Sequence, residues 1–436
     1  MQPETIQLTV PLEAAFTGLV TAFSEQAARA LGLDAAAALK LTLSAEEVFS
    51  YLARHSPEVR WVRLEVISGG YYVELQVVFP PARVDLAVFN LTSSLSLEDD
   101  SDLEKLGLLI ASRSADRFAI RREADGTICI AFRKEKTYPP AEDIPPPPTR
   151  PLAEFSLEAP DPQQIKAISH LLAASYPAQY YPSAFGVPGK LADMLASGAY
   201  QAVVARDRAG HIGGCFIWRG PEGSLIHGYG PYLFGQPQDS PVAAAVVESC
   251  LEQVGKLPAV GILVRYPTPQ LPADYFERLG SLDYHRADGS RLEWPHFFRQ
   301  LQEDPGAQVW AHPELEDFLQ ETYQRLELAR SIWTTRPEGE SRPEHSVFAA
   351  HLDPGQGHVT LRPLWDGKDA AANLARHLEL LRADGFRNLL LGMDLGVAWQ
   401  AELVPDALSV GFRPRLVIPY GGTADVVIFQ HQDEQG

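Results

Sequence analysis

The sequence predicts a mixed α/β (α+β) chain of more than one domain, on three observations. Its 436 residues exceed what one ordinary hydrophobic core serves, and 45% hydrophobic content supplies material for several. A proline-rich run, PPAEDIPPPPTRP (Pro139–Pro151), cannot enter a helix or an inner strand and reads as an extended spacer. Between Ala199 and Tyr284, short β-rich runs alternate with one helical period, an order that calls for a sheet carrying helices.

Residues 1–138 form the first expected unit. A strand, TIQLTVP, precedes a helix over Ala14–Leu31, where Phe16, Leu19, Val20, Phe23, Ala27 and Leu31 recur at helical spacing. A second helix runs from about Asp34 to His55. Two alternating strands, WVRLEVIS and YYVELQVVF, join at Gly69-Gly70. An acidic loop, SLEDDSD, leads into LEKLGLLIASRSADRF and a hairpin turning at Asp125-Gly126.

SAEEVFSYLARH and LEKLGLLIASRSADRF carry a resemblance to the histidine-kinase-like ATPase fold, in particular to bacterial anti-sigma-factor serine kinases, over all of 1–138. The resemblance implies a nucleotide site around Glu47 (the general base), Tyr51, His55 and Gly107. Tyr51 stands where the family places its Mg²⁺-binding Asn, and a phenol is a poor ligand for that ion. Phe79-Pro80-Pro81 replaces the adenine-contacting D-x-G, and Lys105 replaces one phosphate-loop glycine. The expectation is a degenerate site that holds neither ATP nor Mg²⁺, with no metal elsewhere.

The second expected unit spans 152–295. FSLE reads as a strand, and a helix starts after Asp161-Pro162; QYYPSAFGVPGKLADMLASG supplies another. AYQAVVA and IGGCFIW form a hairpin around RDRAGH, and SLIHGYGPYLF is a third strand. Ser240-Pro241 opens a helix over Val242–Val254, AVGILVRY is a buried strand, and ADYFERLG reads as a last helical turn.

This order, ending in YFERLG, resembles the core of the GNAT acyl-CoA N-acyltransferases. The resemblance implies acyl-CoA as cofactor, with pantetheine along a splayed fourth strand and pyrophosphate at the following helix N-terminus. Tyr232, Leu233, Phe234, Gly235 and Ser240 fall on the cofactor side. His227 and Tyr229, on one face of that strand, and Tyr275, beside the family's acid position at Phe276, are the candidate catalytic residues. The loop Gln236–Pro241 lacks the family's glycines and puts Asp239 beside the expected phosphates.

Residues 296–436 repeat the order hairpin, helix, strand, helix, "GF", with a long helix in front (PELEDFLQETYQRLELARSIWTT). They resemble a second GNAT-like domain in element order, with Ala407 at the Tyr position and Gly411-Phe412 at the "GF". The full expectation is a histidine-kinase-like ATPase sandwich on 1–138, a linker on 139–151, and tandem GNAT-like domains on 152–295 and 296–436.

Charge narrows the partners. Lys+Arg 37 against Asp+Glu 56 gives −19, which disfavours nucleic acid and anionic membrane surfaces. Cys129, Cys215 and Cys250 follow no metal or redox spacing, and the N-terminus lacks an export pattern, so a reduced cytoplasmic setting is expected. Two function classes follow: an acyl-CoA-dependent N-acyltransferase, or a non-catalytic regulatory protein that binds a protein partner or a small acyl ligand. Substrate and oligomeric state are not encoded in any motif.

Overall fold

The computed structural model describes residues 4–82, 86–93, 107–109, 111, 113–122, 125–139, 145–286, 288–336, 342–353 and 356–432. Lys105 and the loop SLEDDSD lie outside them. The chain divides into two compact units.

Unit 1 comprises Met1–Tyr138 with Ser341–His351 and Leu361–Leu380. Its sheet has five antiparallel strands: β1 (Thr5–Pro11), β2 (Trp61–Ser68), β3 (Tyr72–Phe79), β4 (Arg117–Arg122) and β5 (Ile128–Glu135), ordered β1-β2-β3-β5-β4. Helices α1 (Thr17–Ala30) and α2 (Ala35–His55) cover one face. The turn between them needs Gly32, at φ +100°, and Asp34 starts α2 by accepting the Ala37 N–H at 2.8 Å. The alternation read in β2 and β3 is the packing itself. Val62, Leu64, Val66, Val73, Leu75 and Val77 point inward to Leu41, Ala45, Phe49 and Leu52 of α2. Each such side chain, taken fully out of water, contributes about 1.5–3 kcal/mol. Val347, Leu364 and Trp365 join the same core from far along the chain.

Unit 2 comprises Pro139–Glu340, Leu352–Thr360 and Leu381–Gly436. Its main sheet has seven strands: β6 (Ser156–Glu158), β7 (Tyr200–Arg206), β8 (Ile212–Glu222), β9 (Leu225–Leu233), β10 (Gly261–Pro267), β11 (Glu277–His285) and β12 (Arg291–Gln300). The order is β11-β12-β10-β9-β8-β7-β6, and only β9 and β10 run parallel. Ahead of β7 come α3 (Pro162–Ser175), opened by a capping box of Asp161 and Gln164, and α4 (Pro188–Ala196). Helix α5 (Val242–Val254) crosses from β9 to β10 and packs on Phe216, Trp218, Ile226, Ile262 and Val264.

Two stretches expected to be helical throughout end in strands. ADYFERLG is a single 3-10 turn, Ala273–Tyr275, that runs straight into β11. Alternation decides it: Leu279, Leu282 and Tyr284 are buried beneath polar neighbours, and β11 pairs with β12 along its length. The long helix at 313–335 stops as α6 (Pro313–Arg325), and Arg330–Thr334 forms β14, parallel to β13 (Ala307–Ala311). β12 also runs through the expected boundary between 295 and 296.

The remaining elements are β15 (Val347–Asp353), β16 (His358–Trp365), α7 (Ala370–Ala383), β17 (Asn388–Asp394), α8 (Ala398–Ala401), α9 (Val404–Ser409), β18 (Phe412–Ile418) and β19 (Val426–His431). The last hairpin pairs β18 with β19 antiparallel, and β19 pairs with β17. No described helix is long and apolar enough to cross a membrane.

Candidate functional site

Strands β9 and β10 stay paired from Leu225 and Gly261 up to Gly230 and Pro267. Beyond that point β9 keeps only β8 as neighbour, with Tyr232 opposite Cys215 and Leu233 opposite Gly214. The Phe234 N–H bonds Gly213 on β8, so the Leu233 N–H, one residue back, points to the side that β10 has left. A notch therefore opens at Pro231–Leu233, where the strand amide has no partner from β10.

Side chains of this chain fill the notch. Tyr176, just past α3, accepts the Leu233 N–H on its Oη at 2.6 Å; the same hydroxyl lies 3.2 Å from the Leu233 carbonyl, to which it donates. Burial pushes this phenol up to about 12, against the opposing effect of its hydrogen bond to Leu233, so it remains a neutral hydroxyl. Thr268 Oγ1 donates to the Pro231 carbonyl at 2.5 Å. Tyr232 is fully buried, with its Oη donating to Tyr180 O at 3.0 Å, and the Tyr176 ring packs edge-on against it.

The loop that follows is covered as well. Gly235 adopts φ +65°, and a Cβ there would meet Thr149 Oγ1 at 2.7 Å. The Gln236 side chain accepts the Leu152 N–H at 3.0 Å and donates to Arg150 O at 2.8 Å. Ser240 Oγ, one residue ahead of the Pro241 N-cap, accepts the Val242 N–H at 3.3 Å. The buried Gln356 donates to Ala178 O and Tyr181 O at 3.0 and 2.8 Å, and Tyr284 donates to Gln356 O at 2.8 Å.

His227 and Tyr229 share the face turned away from α5, because Ile226 and Gly228 face its core. The Tyr229 ring lies among Phe185, Tyr200 and Tyr266, at centroid distances of 5.1, 6.2 and 6.0 Å. Tyr275 belongs to the α5 face, where its hydroxyl bonds Glu248 of that helix. The sheet thus separates Tyr275 from the other two. Phe234 is fully buried, and Leu233 contributes backbone atoms rather than its side chain.

In unit 1, a Cβ on Gly107 would fall 1.7 Å from Glu47 Oε2, so the carboxylate rests on the bare glycine backbone. Burial, and then the neighbouring charge of Glu46, raise the Glu47 acid above the usual carboxylate range. Tyr51 is buried, with its ring 4.6 Å from that of His55. A phenol and an imidazole tilted at 36° to each other occupy the helix face where the resemblance implies a metal ligand.

Sequence reasoning passed over Tyr176 and Gln356, and also His296 of β12; it placed Gln236 in the loop but not the side-chain contacts it makes. His296 is fully buried, with Nδ1 3.3 Å from the Trp294 carbonyl oxygen. Burial, and then the Arg265 charge, pull its imidazole down to about 3. The unfolded chain therefore binds one proton more than the fold between about pH 3 and pH 6.5. This share of stability is complete above pH 6.5 and declines on acidification, by about 1.4 kcal/mol per pH unit. Urea titrations of wild type and His296→Gln at pH 7 and pH 5 should show a flatter pH dependence in the variant; equal slopes would refute a neutral His296. A separate concavity of about 120 Å³, with Leu279, Phe298 and Leu326 as floor and Glu277 and Glu327 at its rim, contains none of the expected site residues.

No family model matches the chain, and no curated protein does. Among solved structures, similar ones include a GNAT family N-acetyltransferase from Escherichia coli in complex with CoA, at 16% identity and TM-score 0.26 over 36% of this chain and 87% of that one. A phosphinothricin acetyltransferase of the GNAT superfamily from Sinorhizobium meliloti, in complex with AcCoA, is 16% identical over 34% of this chain and 89% of that one, with TM-score 0.28. An aminoglycoside 6'-acetyltransferase type Ii is 15% identical, with TM-score 0.27, over 34% and 99%.

Proposed function

We propose that this is an acyltransferase-related protein whose seven-stranded sheet works as a non-catalytic binding module, joined to an ATPase-like unit that no longer handles nucleotide. The observation that carries the reading is the Tyr176 hydroxyl on the Leu233 amide at 2.6 Å. An acyl thioester needs that N–H for its carbonyl, and a neutral phenol already satisfies both polar groups of Leu233. Gly235 beneath Thr149, and a loop with Asp239 and two prolines, leave few donors for a pyrophosphate. Acyl-CoA therefore does not fit the notch as it stands, and no transfer step is derived through it.

Proton chemistry fares no better. His227 and Tyr229 lie on one face while Tyr275 is on the other, so Tyr275 does not share an acceptor position with them. On unit 1, Glu47 set against Gly107, with Tyr51 on His55, supports loss of the metal and phosphate contacts.

Calorimetry and native mass spectrometry with acetyl-CoA test the reading. Wild type should show no saturable binding below about 1 mM, which corresponds to about 4 kcal/mol. It should also release no CoA thiol when amines are added. Tyr176→Phe should lose about 1–3 kcal/mol of stability by orphaning the Leu233 N–H. Micromolar acetyl-CoA binding by the wild type, or thiol release dependent on an amine, would falsify the non-catalytic reading.

A further inference from the structure

The residues that cover the loop before α5 are held as a peptide ligand is held. Thr149, Arg150, Pro151 and Leu152 lie along four features of unit 2. Gly235 receives Thr149, whose Oγ1 and Cβ would sit 2.7 and 2.9 Å from any Cβ placed there. Asp207 receives Arg150, with Nε and Nη2 donating to Oδ2 at 3.0 and 2.5 Å. Gly213 receives Leu152, whose Cδ1 would lie 2.4 Å from an added Cβ. Gln236 reads the main chain on both sides of Pro151, accepting the Leu152 N–H and donating to Arg150 O. One side-chain amide thus makes the two bonds that a neighbouring strand would make.

The receiving side is built independently of the segment. Asp207 sits in the turn between β7 and β8, where its Oδ1 accepts the Ala209 and His211 N–H groups at 2.9 and 3.0 Å. That fixes the carboxylate before any guanidinium arrives, and the Arg150 pairing holds its acid well below the usual carboxylate range. Gln236 is anchored by a second bond, from Nε2 to Phe234 O at 2.9 Å. The segment itself is only partly enclosed: Thr149, Arg150 and Pro151 are exposed, Arg150 keeping 54% of its side chain in solvent, and Leu152 is the buried member of the four. Prolines at 145–148 and 151 keep it extended beforehand, so little ordering entropy is lost on docking.

We infer that Asp207, Gly213, Gly235 and Gln236 form a recognition groove for an extended peptide of the form Thr-Arg-Pro-Leu, occupied here by this chain's own residues 149–152, which can detach and be replaced by the same motif from another chain. The inference goes beyond the proposed function and stands whether or not the notch binds CoA. Specificity comes from the arginine at the carboxylate, the leucine at the bare glycine, and an unbranched Gln236 contact that requires both a C=O and an N–H two residues apart.

The test uses the full chain and a fluorescent peptide, Pro-Thr-Arg-Pro-Leu-Ala. Wild type should bind it weakly, because the tethered copy competes at millimolar effective concentration. Arg150→Ala combined with Leu152→Ser empties the groove, and the peptide should then bind at least tenfold more tightly. Asp207→Ala added to that background should cost at least tenfold. If the emptied protein, with an unchanged circular dichroism spectrum, gains no peptide binding, or if Asp207→Ala leaves binding unchanged, the groove is not a recognition site. Hydrogen exchange of the wild type gives a second reading that needs no variant. The Leu152 amide should exchange through a local opening, ahead of the amides of β9; exchange only with global unfolding would overturn a detachable segment.

Discussion

Arg330→Leu is expected to destabilise unit 2 by about 3–5 kcal/mol, the cost of stripping a buried carboxylate of its paired cation. Arg330 has no exposed side-chain surface; its Nε donates to Asp425 Oδ2 and its Nη1 to Asp304 Oδ2, both at 2.7 Å. Asp425 is fully buried too, and its Oδ1 accepts the Tyr420 N–H at 2.9 Å. Tyr420 lays its ring 4.7 Å from the guanidinium carbon and passes its hydroxyl to Asp304. That arrangement holds Tyr420 at φ +53°, where a side chain is strained. The two acids, one cation and one phenol act as a unit, so Arg330→Lys should recover less than half of the loss: a point charge cannot reach both carboxylates with aligned donors. Urea denaturation followed by the fluorescence of unit 2 measures both variants. A change under about 0.5 kcal/mol for Arg330→Leu would mean that the network contributes nothing net.

None of this cluster was legible beforehand, and the reason is physical. Arg330 stands 26 residues from Asp304 and 95 from Asp425, so neither i,i+4 spacing nor a motif marks the set. The stretch ELARSIWTT continues a helical period by composition, yet Glu327 takes φ +53°, which ends the helix and turns the chain into β14. Elements whose order is local were readable: α5 was placed at Val242–Val254, β7 at the AYQAVVA run, and the turn at Asp125-Gly126 carries its glycine at φ +85°. The notch was half legible. The glycines and proline of GYGPYLFG mark where β9 leaves β10, but Tyr176 reaches it from 57 residues away. A hydroxyl that stands in for a ligand leaves no trace in strand or helix periodicity. The same holds for Gln356, which meets Tyr181 across 175 positions.

The last expected result concerns what residues 1–138 need in order to fold. Asn90 is nearly fully buried, and its Oδ1 accepts the Phe348 N–H at 3.0 Å while Nδ2 donates to Ser346 O at 2.8 Å and Ala87 O at 3.1 Å. Asn373 donates to the same Ser346 carbonyl at 3.0 Å and accepts from Thr92 Oγ1 at 3.1 Å. Asp369 closes the ring by accepting the Ser346 N–H at 2.6 Å and its hydroxyl at 2.8 Å. The Asn90 bonds to Ser346 and Phe348 and the Thr92 bond to Asn373 form only when 346–373 lies beside 87–92, and every buried group orphaned by their loss costs about 1–3 kcal/mol. Asn90→Ala should therefore lose about 1–3 kcal/mol, since it strands the Phe348 N–H while Ser346 O keeps its bond from Asn373. Gly367→Ala should cost at least as much. Its Cβ would meet Ser346 N at 2.1 Å and His345 C at 2.2 Å, and backbone cannot rotate away as a side chain can. A fragment ending at 138 removes the whole partner segment, including Val347, Leu364 and Trp365 from the core. It should melt without a cooperative transition and bind a hydrophobic dye, whereas the full chain should not. A sharp thermal transition from that fragment, at the full chain's midpoint, would show that the buried network seals a core already complete without it.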